Sequence, residues 1–449
     1  MTNWISDLFT SDFGWNHLER LVDLPPRMAG WRGEKLAAEA TREALREAGC
    51  HDVELREFPI PKWERGSSTL ETPYGKEDCI ALPYSPSRTV SGELVDIGTG
   101  TPEEFESVDL DGIIAMASST VHHEYPRFVH RREKYHRAVN AGAEGFVYAN
   151  HVPGCMAPTG KIGCGEGGEI PALGVSREVG ARLGRRCDGE EVELAVEAET
   201  GGKGEATSRN VVGWLGGDGD GDTEEKVLVT SHVDAHDISE GAADNGMGTA
   251  MVVEVANALS EREDHLDCRI EFVPFGAEEV GLRGSRRYVE ECGLEDVKAV
   301  VNLDGVGRTR DLKVYNNGFR EFDEAIDAVS GKLGHEIEIV DAVDPHSDHW
   351  PFVERGLPAL YVKSETDGRD RGWGHTAADT LDKLDVRDLR HQSIVVAEMV
   401  REVASEEFEV EPTSIESIKS MLESQGEDKA MKVTGEWNYG SSGWIPGDG

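Results

Sequence analysis

Histidine and acidic side chains stand just beyond several apolar runs of this sequence. The residues placed in this way are His232, Asp234, Glu278, Glu279, Asp304 and His375, and a further acid, Asp244, precedes a predicted helix. Imidazole and carboxylate groups can bind metal ions and transfer protons. Residues that follow the strands of an open α/β sheet meet at its carboxyl edge, where such sheets bind ligands. The pattern therefore indicates a reactive site rather than scattered loop residues.

The apolar runs that carry these residues have the length of buried strands. They cover residues 227–229, 268–275, 297–303 and 357–362. A glycine-rich loop follows the first run, and Asp244-Asn245-Gly246 then opens a helix predicted over residues 247–259. Strands that alternate with helices in this way favour an α/β fold.

The order of the short polar motifs resembles a known family. The motifs are His-x-Asp at 232–234, Asp-Asn at 244–245, Glu-Glu at 278–279, Asn-Leu-Asp at 302–304 and Gly-His-Thr at 374–376. Supporting phrases follow at 281–285 (GLRGS) and 347–352 (SDHWPF). Residues 15–405 are similar to the M28 family of co-catalytic zinc aminopeptidases. The resemblance implies a three-layer α/β/α sandwich around a mixed, mostly parallel sheet.

The resemblance also implies a pair of divalent metal ions and their ligands. Asp244 would bridge the ions, with His232 and Asp304 completing one site and Glu279 and His375 completing the other. Imidazole and carboxylate ligands without thiolate suit two zinc ions, and cobalt or manganese could serve instead.

Two further acids take catalytic or supporting roles by the same resemblance. Glu278 would be the general base, which takes a proton from the attacking water and passes it to the leaving amine. Asp234, two residues after His232, would accept a hydrogen bond from that imidazole and fix its tautomer. Asp379 would either support the other end of the site or cap the next helix.

Two positions depart from the family pattern. Gly305 follows Asp304 where the family usually has methionine, which would open space near the metal ions. Some relatives have an oxyanion-stabilising tyrosine three residues before the Ser-Asp-His motif, where this chain has Asp344. His346 could donate to the oxyanion instead, and the metal alone could also polarise the substrate.

The resemblance and the change of pattern along the chain divide it into three parts. Residues 1–70 and 205–405 form the predicted discontinuous catalytic domain, 71–204 a β-rich inserted protease-associated domain, and 406–449 an acidic C-terminal extension. The insert is recognised by the phrases DLDGI, AGAEG and IPALGVS. Its histidines are predicted to be surface or packing residues, with substrate contact as the alternative; they are His122, His123, His130, His136 and His151.

The charge of the chain restricts its partners. It has 87 acidic against 46 basic residues, a net charge of -41, whereas 38% of its residues are hydrophobic. The hydrophobic fraction argues against an acidic disordered chain, and the charge argues against nucleic-acid binding. Self-repulsion of this size is tolerated under strong salt screening, so we expect a halophilic protein.

Cysteine use predicts a cytosolic protein. Seven scattered cysteines favour reduced thiols, and Cys155 with Cys164 is the first choice if any pair forms. The first residues lack the pattern of a signal peptide. No apolar stretch of about 20 residues is present, so no membrane span is expected. The oligomeric state is left open, a homodimer included.

The function expected from the resemblance is an exopeptidase that removes N-terminal residues from peptides. A carboxypeptidase or related amidohydrolase is the alternative, with Arg308, Arg369 and Arg371 available to hold an acidic side chain. Glutaminyl cyclases are relatives that use one zinc ion, whereas this chain has the ligands for two. A non-catalytic receptor with this architecture would have lost metal ligands that this chain keeps.

Overall fold

The computed structural model describes residues 4–163, 167–200, 205–217, 225–366 and 372–439. The chain forms two compact units. The first contains Met1–Phe58, Thr207–Asp367 and Asp379–Met421, and the second contains Pro59–Ala206, Gly368–Ala378 and Leu422–Gly449. Each unit is therefore discontinuous in sequence.

The helices and strands of both units are numbered in chain order. The helices are α1 (Trp4–Thr10), α2 (Phe13–Val22), α3 (Arg32–Glu47), α4 (Pro102–Glu106), α5 (Arg131–Asn140), α6 (Arg177–Arg186), α7 (Met247–Ser260), α8 (Arg283–Glu291), α9 (Glu321–Leu333), α10 (Trp350–Val353), α11 (Val386–Val403), α12 (Ile415–Gln425) and α13 (Glu427–Thr434). The strands are β1 (His51–Ile60), β2 (Trp63–Thr72), β3 (Gly75–Glu77), β4 (Ile80–Ala81), β5 (Arg88–Asp96), β6 (Ile114–Ser118), β7 (Gly145–Ala149), β8 (Ala172–Val175), β9 (Glu191–Thr200), β10 (Ala206–Leu215), β11 (Lys226–His232), β12 (Arg269–Phe275), β13 (Val297–Leu303), β14 (Leu312–Tyr315), β15 (Glu338–Val340) and β16 (Ala359–Ser364).

The first unit is built on a mixed sheet. Its strand order within the described residues is β1-β10-β12-β11-β13-β16-β14-β15. The central strands β12, β11, β13 and β16 pair in parallel, while β10 and β14 pair antiparallel with their neighbours β12 and β16. Every residue of β11 is buried, as expected for a parallel strand covered on both faces.

Helices cover both faces of this sheet. Helix α7 is apolar on almost every side and packs against β11 and against helices α2, α3 and α11. Tyr288 of α8 and Phe352 of α10 pack on Phe275 of β12, with ring centroids 5.8 and 6.4 Å from that ring. Helix α3 ends where Gly49 adopts a left-handed φ of 96°. The predicted three-layer α/β/α sandwich is confirmed.

The second unit is rich in strands and has its own sheet, with the order β3-β2-β9-β5-β6-β7-β8-β4 in the described residues. Strands β5 to β8 pair in parallel. Alternate residues of β6 enter two separate cores: Ile114 packs in the core that includes Leu183 of α6, and Ala115 in the core that includes Tyr135 of α5. This sheet is therefore covered by a helix on each face.

Most predicted elements form close to their expected bounds. The helix predicted over residues 247–259 lies within α7, and the runs predicted as strands at 268–275 and 297–303 correspond to β12 and β13. Helices α12 and α13 form in the region predicted as an acidic extension.

The boundaries of the two units differ from those of the predicted domains. Residues 59–70 were assigned to the catalytic domain, whereas β2 pairs along its length with β9 of the second sheet. Residues 406–421 lie in the first unit, and 422–439 lie in the second.

Several sequence features lie outside the described residues. They are Cys164, most of the acidic loop 217–225, Arg369, Arg371 and the last residues of the C-terminal tail. The described cysteines are free thiols, namely Cys50, Cys79, Cys155, Cys187, Cys268 and Cys292. No described helix is long and apolar enough to cross a membrane.

Candidate metal centre and active site

Three neighbouring strands of the first sheet end at the same edge. His232 is the last residue of β11 and lies in register with Phe275, the last residue of β12. Asp304 directly follows β13, and its backbone N–H donates to the carbonyl of Val362 in β16 over 3.2 Å. Parallel pairing thus brings side chains that are far apart in sequence to one edge of the sheet.

His232, Asp244 and Asp304 form a compact group of potential metal ligands. Their ligand atoms all lie within 4.8 Å of one another. Nε2 of His232 is 3.4 Å from Oδ1 of Asp244 and 3.7 Å from Oδ1 of Asp304. Two ligands of one tetrahedral zinc ion, each about 2.1 Å from the metal, stand about 3.4 Å apart. In the described part of the chain, the buried Nε2 atom has no hydrogen-bond partner of good geometry, so its lone pair fits a metal ion.

Asp234 connects the ends of β11 and β12. Its two carboxylate oxygens accept the backbone N–H groups of Glu278 (3.0 Å) and Glu279 (3.1 Å). Nδ1 of His232 lies 3.1 Å from the backbone carbonyl of Asp234 and 3.5 Å from its carboxylate. Because these partners can only accept, the imidazole carries its proton on Nδ1 and presents Nε2 as the acceptor. The hydrogen bond predicted to the Asp234 carboxylate is thus made by the backbone carbonyl of that residue, while the carboxylate accepts from the two glutamate N–H groups.

Arg27 fixes the loop that leads from β11 to Asp244. The guanidinium group is buried and donates to the backbone carbonyls of Val233 (3.0 Å), Glu240 (2.6 Å) and Gly241 (2.8 Å). One side chain from the N-terminal segment therefore ties both ends of this loop.

The Asp379 carboxylate accepts backbone N–H groups at Asp244, as the Asp234 carboxylate does at the two glutamates. Its carboxylate accepts the backbone N–H groups of Ala243 (2.8 Å) and Asp244 (3.1 Å). Burial, together with the nearby Asp244 carboxylate, raises the pKa of Asp379 to about 6. The Asp244–Asn245 peptide bond is cis. Of the two roles considered for Asp379, these hydrogen bonds favour support of the site.

A chain of polar side chains lies behind Asp304. Ser347 donates to Oδ2 of Asp304 (2.7 Å), Asn302 donates to the Ser347 hydroxyl (2.9 Å), and Thr230 donates to the Asn302 carbonyl (2.7 Å). All of these groups except Asp304 are fully buried. The orientation of the Asp304 carboxylate is therefore set by the interior of the sheet.

Glu279 has a buried histidine partner that the sequence analysis missed. Nε2 of His236 lies 2.9 Å from Oε2 of Glu279, and both side chains are buried. His236 stands in the glycine-rich loop, four residues after His232. The repeated histidine in His-x-Asp-x-His was the available signal, but no predicted strand or helix positioned it.

Glu278, the predicted base, is partly exposed in a strongly acidic setting. Burial and the carboxylates of Glu279, Asp304 and Asp348 raise its pKa well above the usual range, although His232 opposes this. A carboxylate with a raised pKa is a stronger base than an exposed one, which suits the role of general base.

His375 belongs to the second unit. It is buried and has a left-handed φ of 57°. Its backbone carbonyl accepts the N–H of Thr159 (2.8 Å), and its Nδ1 atom lies 3.5 Å from Nη1 of Arg131. Its assignment to the same ion as Glu279 stays a prediction.

The structure describes the surroundings of the two positions that depart from the family pattern, Gly305 and His346. Gly305 adopts a φ of 78°, and a methyl group added there would meet only Lys363, at 3.9 Å, so the space beside it is open. His346 is half-buried in the loop before α10. Its part in oxyanion stabilisation stays a prediction.

Buried negative charge is concentrated at this centre. Burial raises the pKa of Asp348 to about 8, and Asp234 and Asp304 act in the same direction against His232 and Ser285. Burial alone would lower the pKa of His232, but Glu278 and the surrounding aspartates raise it well above its usual value. Such a site must take up protons or cations, and divalent ions would supply the positive charge it lacks.

Comparison with known proteins assigns the family. Residues 210–400 match peptidase family M28, and residues 90–183 match the PA domain. The chain is 28% identical over 398 residues to aminopeptidase YwaD of Bacillus subtilis, which covers 85% of this chain and 82% of that protein. By these matches, residues 210–400 are a peptidase family M28 region and residues 90–183 are a PA domain.

Solved structures of M28 peptidases have the same fold. BSAP, a zinc aminopeptidase from Bacillus subtilis, is 26% identical with a TM-score of 0.69, over 87% of this chain and 94% of that one. An M28 peptidase precursor from Shewanella amazonensis shares the fold with a TM-score of 0.76 at 24% identity, over 92% of this chain and 97% of that one. The residues matched to the M28 family include every site residue from His232 to His375.

Proposed function

We propose that this M28 peptidase is a metal-dependent aminopeptidase, which hydrolyses N-terminal residues from peptides. The observation that carries the proposal is the group of His232, Asp244 and Asp304, whose ligand atoms lie within 4.8 Å of one another at a strongly acidic strand edge. The relatives named aminopeptidase YwaD and zinc aminopeptidase BSAP support both the reaction and the metal.

The proposed site holds two zinc ions, with cobalt or manganese as alternatives. His232 and Asp304 would hold one ion, Glu279 and His375 would hold the other, and Asp244 would be a further ligand. Histidine and carboxylate donors without thiolate fit zinc. His236, which contacts Glu279, is a further candidate for the second ion.

When bound, zinc would supply a Lewis acid that polarises a carbonyl group and lowers the pKa of water. Glu278 then acts as the base: it takes a proton from the water that attacks the scissile carbonyl carbon. As the carbon–nitrogen bond breaks, the same carboxyl group gives the proton to the leaving amine. The hydrogen bonds from the backbone of Glu278 and Glu279 to Asp234 hold both glutamates at the strand edge.

The test is hydrolysis of a leucyl peptide with a free or an acetylated N-terminus, in molar KCl with zinc. We expect cleavage of the free peptide only. Glu278→Gln should lower kcat by about 10²–10⁴-fold while zinc content stays at the wild-type level. Glu124→Gln, whose side chain is 86% exposed, is the matched control. Cleavage of neither peptide by zinc-loaded protein would overturn the proposal.

Cleavage of both peptides would favour the carboxypeptidase alternative. Of the arginines considered for it, Arg308 is half-buried, and Arg369 and Arg371 lie outside the described residues. Adaptation to high salt and a cytosolic location stay predictions from composition.

A further inference from the structure

Residues 276–279, the glutamate turn, directly follow β12 and carry the two neighbouring glutamates of the candidate site. Each of its four consecutive backbone N–H groups donates to a side chain from elsewhere in the first unit. The acceptors are Asn210 for Gly276 (3.1 Å), Glu34 for Ala277 (3.1 Å), and Asp234 for Glu278 (3.0 Å) and Glu279 (3.1 Å). Side chains, rather than a regular strand or helix, therefore set the path of this turn.

The acceptor for Ala277, Glu34, lies in the first turn of α3, 243 positions away in sequence. Its side chain is fully buried. Atom Oε1 accepts the backbone N–H of Ala277 and the hydroxyl group of Ser208, while Oε2 accepts the backbone N–H of Gly30 (2.7 Å). Because both carboxylate oxygens accept hydrogen bonds from buried or partly buried donors, the orientation of this carboxylate is fixed.

Ala277 adopts a left-handed backbone conformation with a φ of 56°. This conformation is unfavourable for a residue with a Cβ atom and persists where the surrounding structure holds it. Ala277 is fully buried and stands directly before Glu278. The hydrogen bond to Glu34 therefore holds a strained residue whose conformation decides where the next side chain points.

The glutamate turn is closely packed against its acceptors. A Cβ atom added to Gly276 would lie 2.3 Å from Oγ of Ser208 and 2.9 Å from Oε1 of Glu34. Asn210 is packed in a similar way, because its Nδ2 atom donates to the carbonyl of Gly284 in α8 over 2.9 Å. Contacts this close leave little room for the turn to move while its acceptors keep their positions.

We propose that Glu34 is a positioning residue for the general base, an inference that rests on the proposed role of Glu278 in the aminopeptidase reaction. By holding Ala277 in its left-handed conformation, the Glu34 carboxylate directs the Glu278 side chain toward the attacking water. The backbone N–H of Glu279 is held separately by Asp234. Loss of Glu34 should therefore affect the base more than it affects metal binding.

The variant Glu34→Leu removes both acceptor oxygens and keeps a buried side chain of similar size. A displacement of about 1 Å in a reacting group can cost roughly 100-fold in rate. We expect kcat for a leucyl peptide to fall by about 10–100-fold, while KM stays within about threefold and zinc content stays at the wild-type level. An unchanged kcat, or a loss of zinc that accounts for the loss of kcat, would overturn the proposal.

The variant Glu34→Gln tests the hydrogen bond to Ala277 directly. An amide oxygen in the place of Oε1 accepts from two donors, Ala277 and Ser208, whereas in the place of Oε2 it accepts only from Gly30. The oxygen should therefore face Ala277, and kcat should stay within about fivefold of the wild type. Equal losses of kcat in Glu34→Gln and Glu34→Leu would overturn the proposal.

The matched control for a general loss of stability is Glu254→Leu. Glu254 is another buried glutamate of the first unit, and its Oε2 atom accepts the backbone N–H of Gly14 in α2 (2.5 Å). We expect Tm to fall in both leucine variants, whereas kcat of zinc-loaded Glu254→Leu should stay within about twofold of the wild type. A loss of kcat in this control as large as in Glu34→Leu would overturn the positioning role.

Amide hydrogen exchange at Ala277 tests the turn without turnover. A buried, hydrogen-bonded N–H exchanges slowly, so Glu34→Leu should speed this exchange by about tenfold or more. Glu254→Leu should leave it at the wild-type rate. Unchanged exchange in Glu34→Leu would overturn the proposal. Absence of peptide hydrolysis by the wild type would overturn the aminopeptidase function, and exchange would still decide whether Glu34 holds the turn.

Discussion

A cluster of acidic side chains is buried at the candidate metal centre of the first unit, whereas the start of α5 in the second unit buries an arginine, a lysine and a glutamate. The first unit buries Asp234, Asp244 and their neighbours at the candidate metal centre, where burial raises the pKa of Asp348 to about 8. The second unit buries Arg131 and Lys134, and burial lowers the pKa of Lys134 to about 7. The carboxylates outnumber the buried Arg27 beside them and call for further cations, whereas Arg131 and Lys134 are hydrogen-bonded by backbone carbonyls of their own unit. The first unit should therefore bind cations, whereas the buried positive groups of the second unit are held by its own backbone.

At the candidate metal centre, removing the charge of Asp234 should have the largest effect on zinc affinity. In Asp234→Asn, the amide cannot accept from both glutamate N–H groups, so Glu278 and Glu279 lose a fixed position. We expect zinc affinity to fall by about 10–100-fold, as for other residues that orient ligands, in competition with a chelator. Asp382→Asn, 74% exposed, is the control. Unchanged affinity would show that the paired N–H contacts are dispensable.

His236→Asn tests whether the two metal sites can be separated. Asparagine is too short to replace the contact of His236 with Glu279, whereas His232 and Asp304 are untouched. The affinity for one zinc ion should fall by about tenfold while the other remains as in the wild type, so titration should show two separated binding steps. His51→Asn, at a half-exposed side chain, should bind zinc as the wild type does. Two unchanged sites would remove His236 from the centre.

The smallest expected effect concerns the buried cation of the second unit. Lys134 donates to the carbonyls of Ser118 (2.7 Å) and Thr120 (2.9 Å), and its folded pKa of about 7 lies below its ordinary value of 10.5. Between these values the unfolded chain binds more protons than the folded one, so this lysine makes stability rise with pH. Relative to Lys134→Met, the wild type should gain about 2 °C or more in Tm between pH 7 and pH 10. A constant difference in Tm would mean that Lys134 stays charged when folded.

The sequence predicted the positions of His232 and Asp304 well because each stands at the end of its own strand. It could not predict side chains that approach the site from other parts of the chain. Glu34, in the first turn of α3, accepts the backbone N–H groups of Gly30 (2.7 Å) and Ala277 (3.1 Å), and helical periodicity gives no sign of the second contact. His236 stands in a loop whose path is set by Arg27, so its approach to Glu279 depends on the tertiary fold.

The domain boundary predicted at residue 70 shows the same limit of prediction from local sequence. The alternating residues of β2 indicate a strand, but pairing with β9 decides which sheet receives it. That pairing joins residues more than a hundred positions apart, and local pattern carries no information about it. The histidines of the insert were predicted mainly as surface or packing residues; the His123 side chain is 92% exposed, and His136 packs on Tyr135.

The loop that carries Asp244 is held by two residues near opposite ends of the catalytic region, Arg27 and Asp379. During synthesis, Arg27 is made before the loop carbonyls that it contacts. Asp379 is made only after every proposed zinc ligand. A nascent or truncated chain that ends before Asp379 has all the ligands and lacks the carboxylate that positions Asp244. We therefore expect a chain truncated before Asp379 to bind zinc more weakly than the full chain.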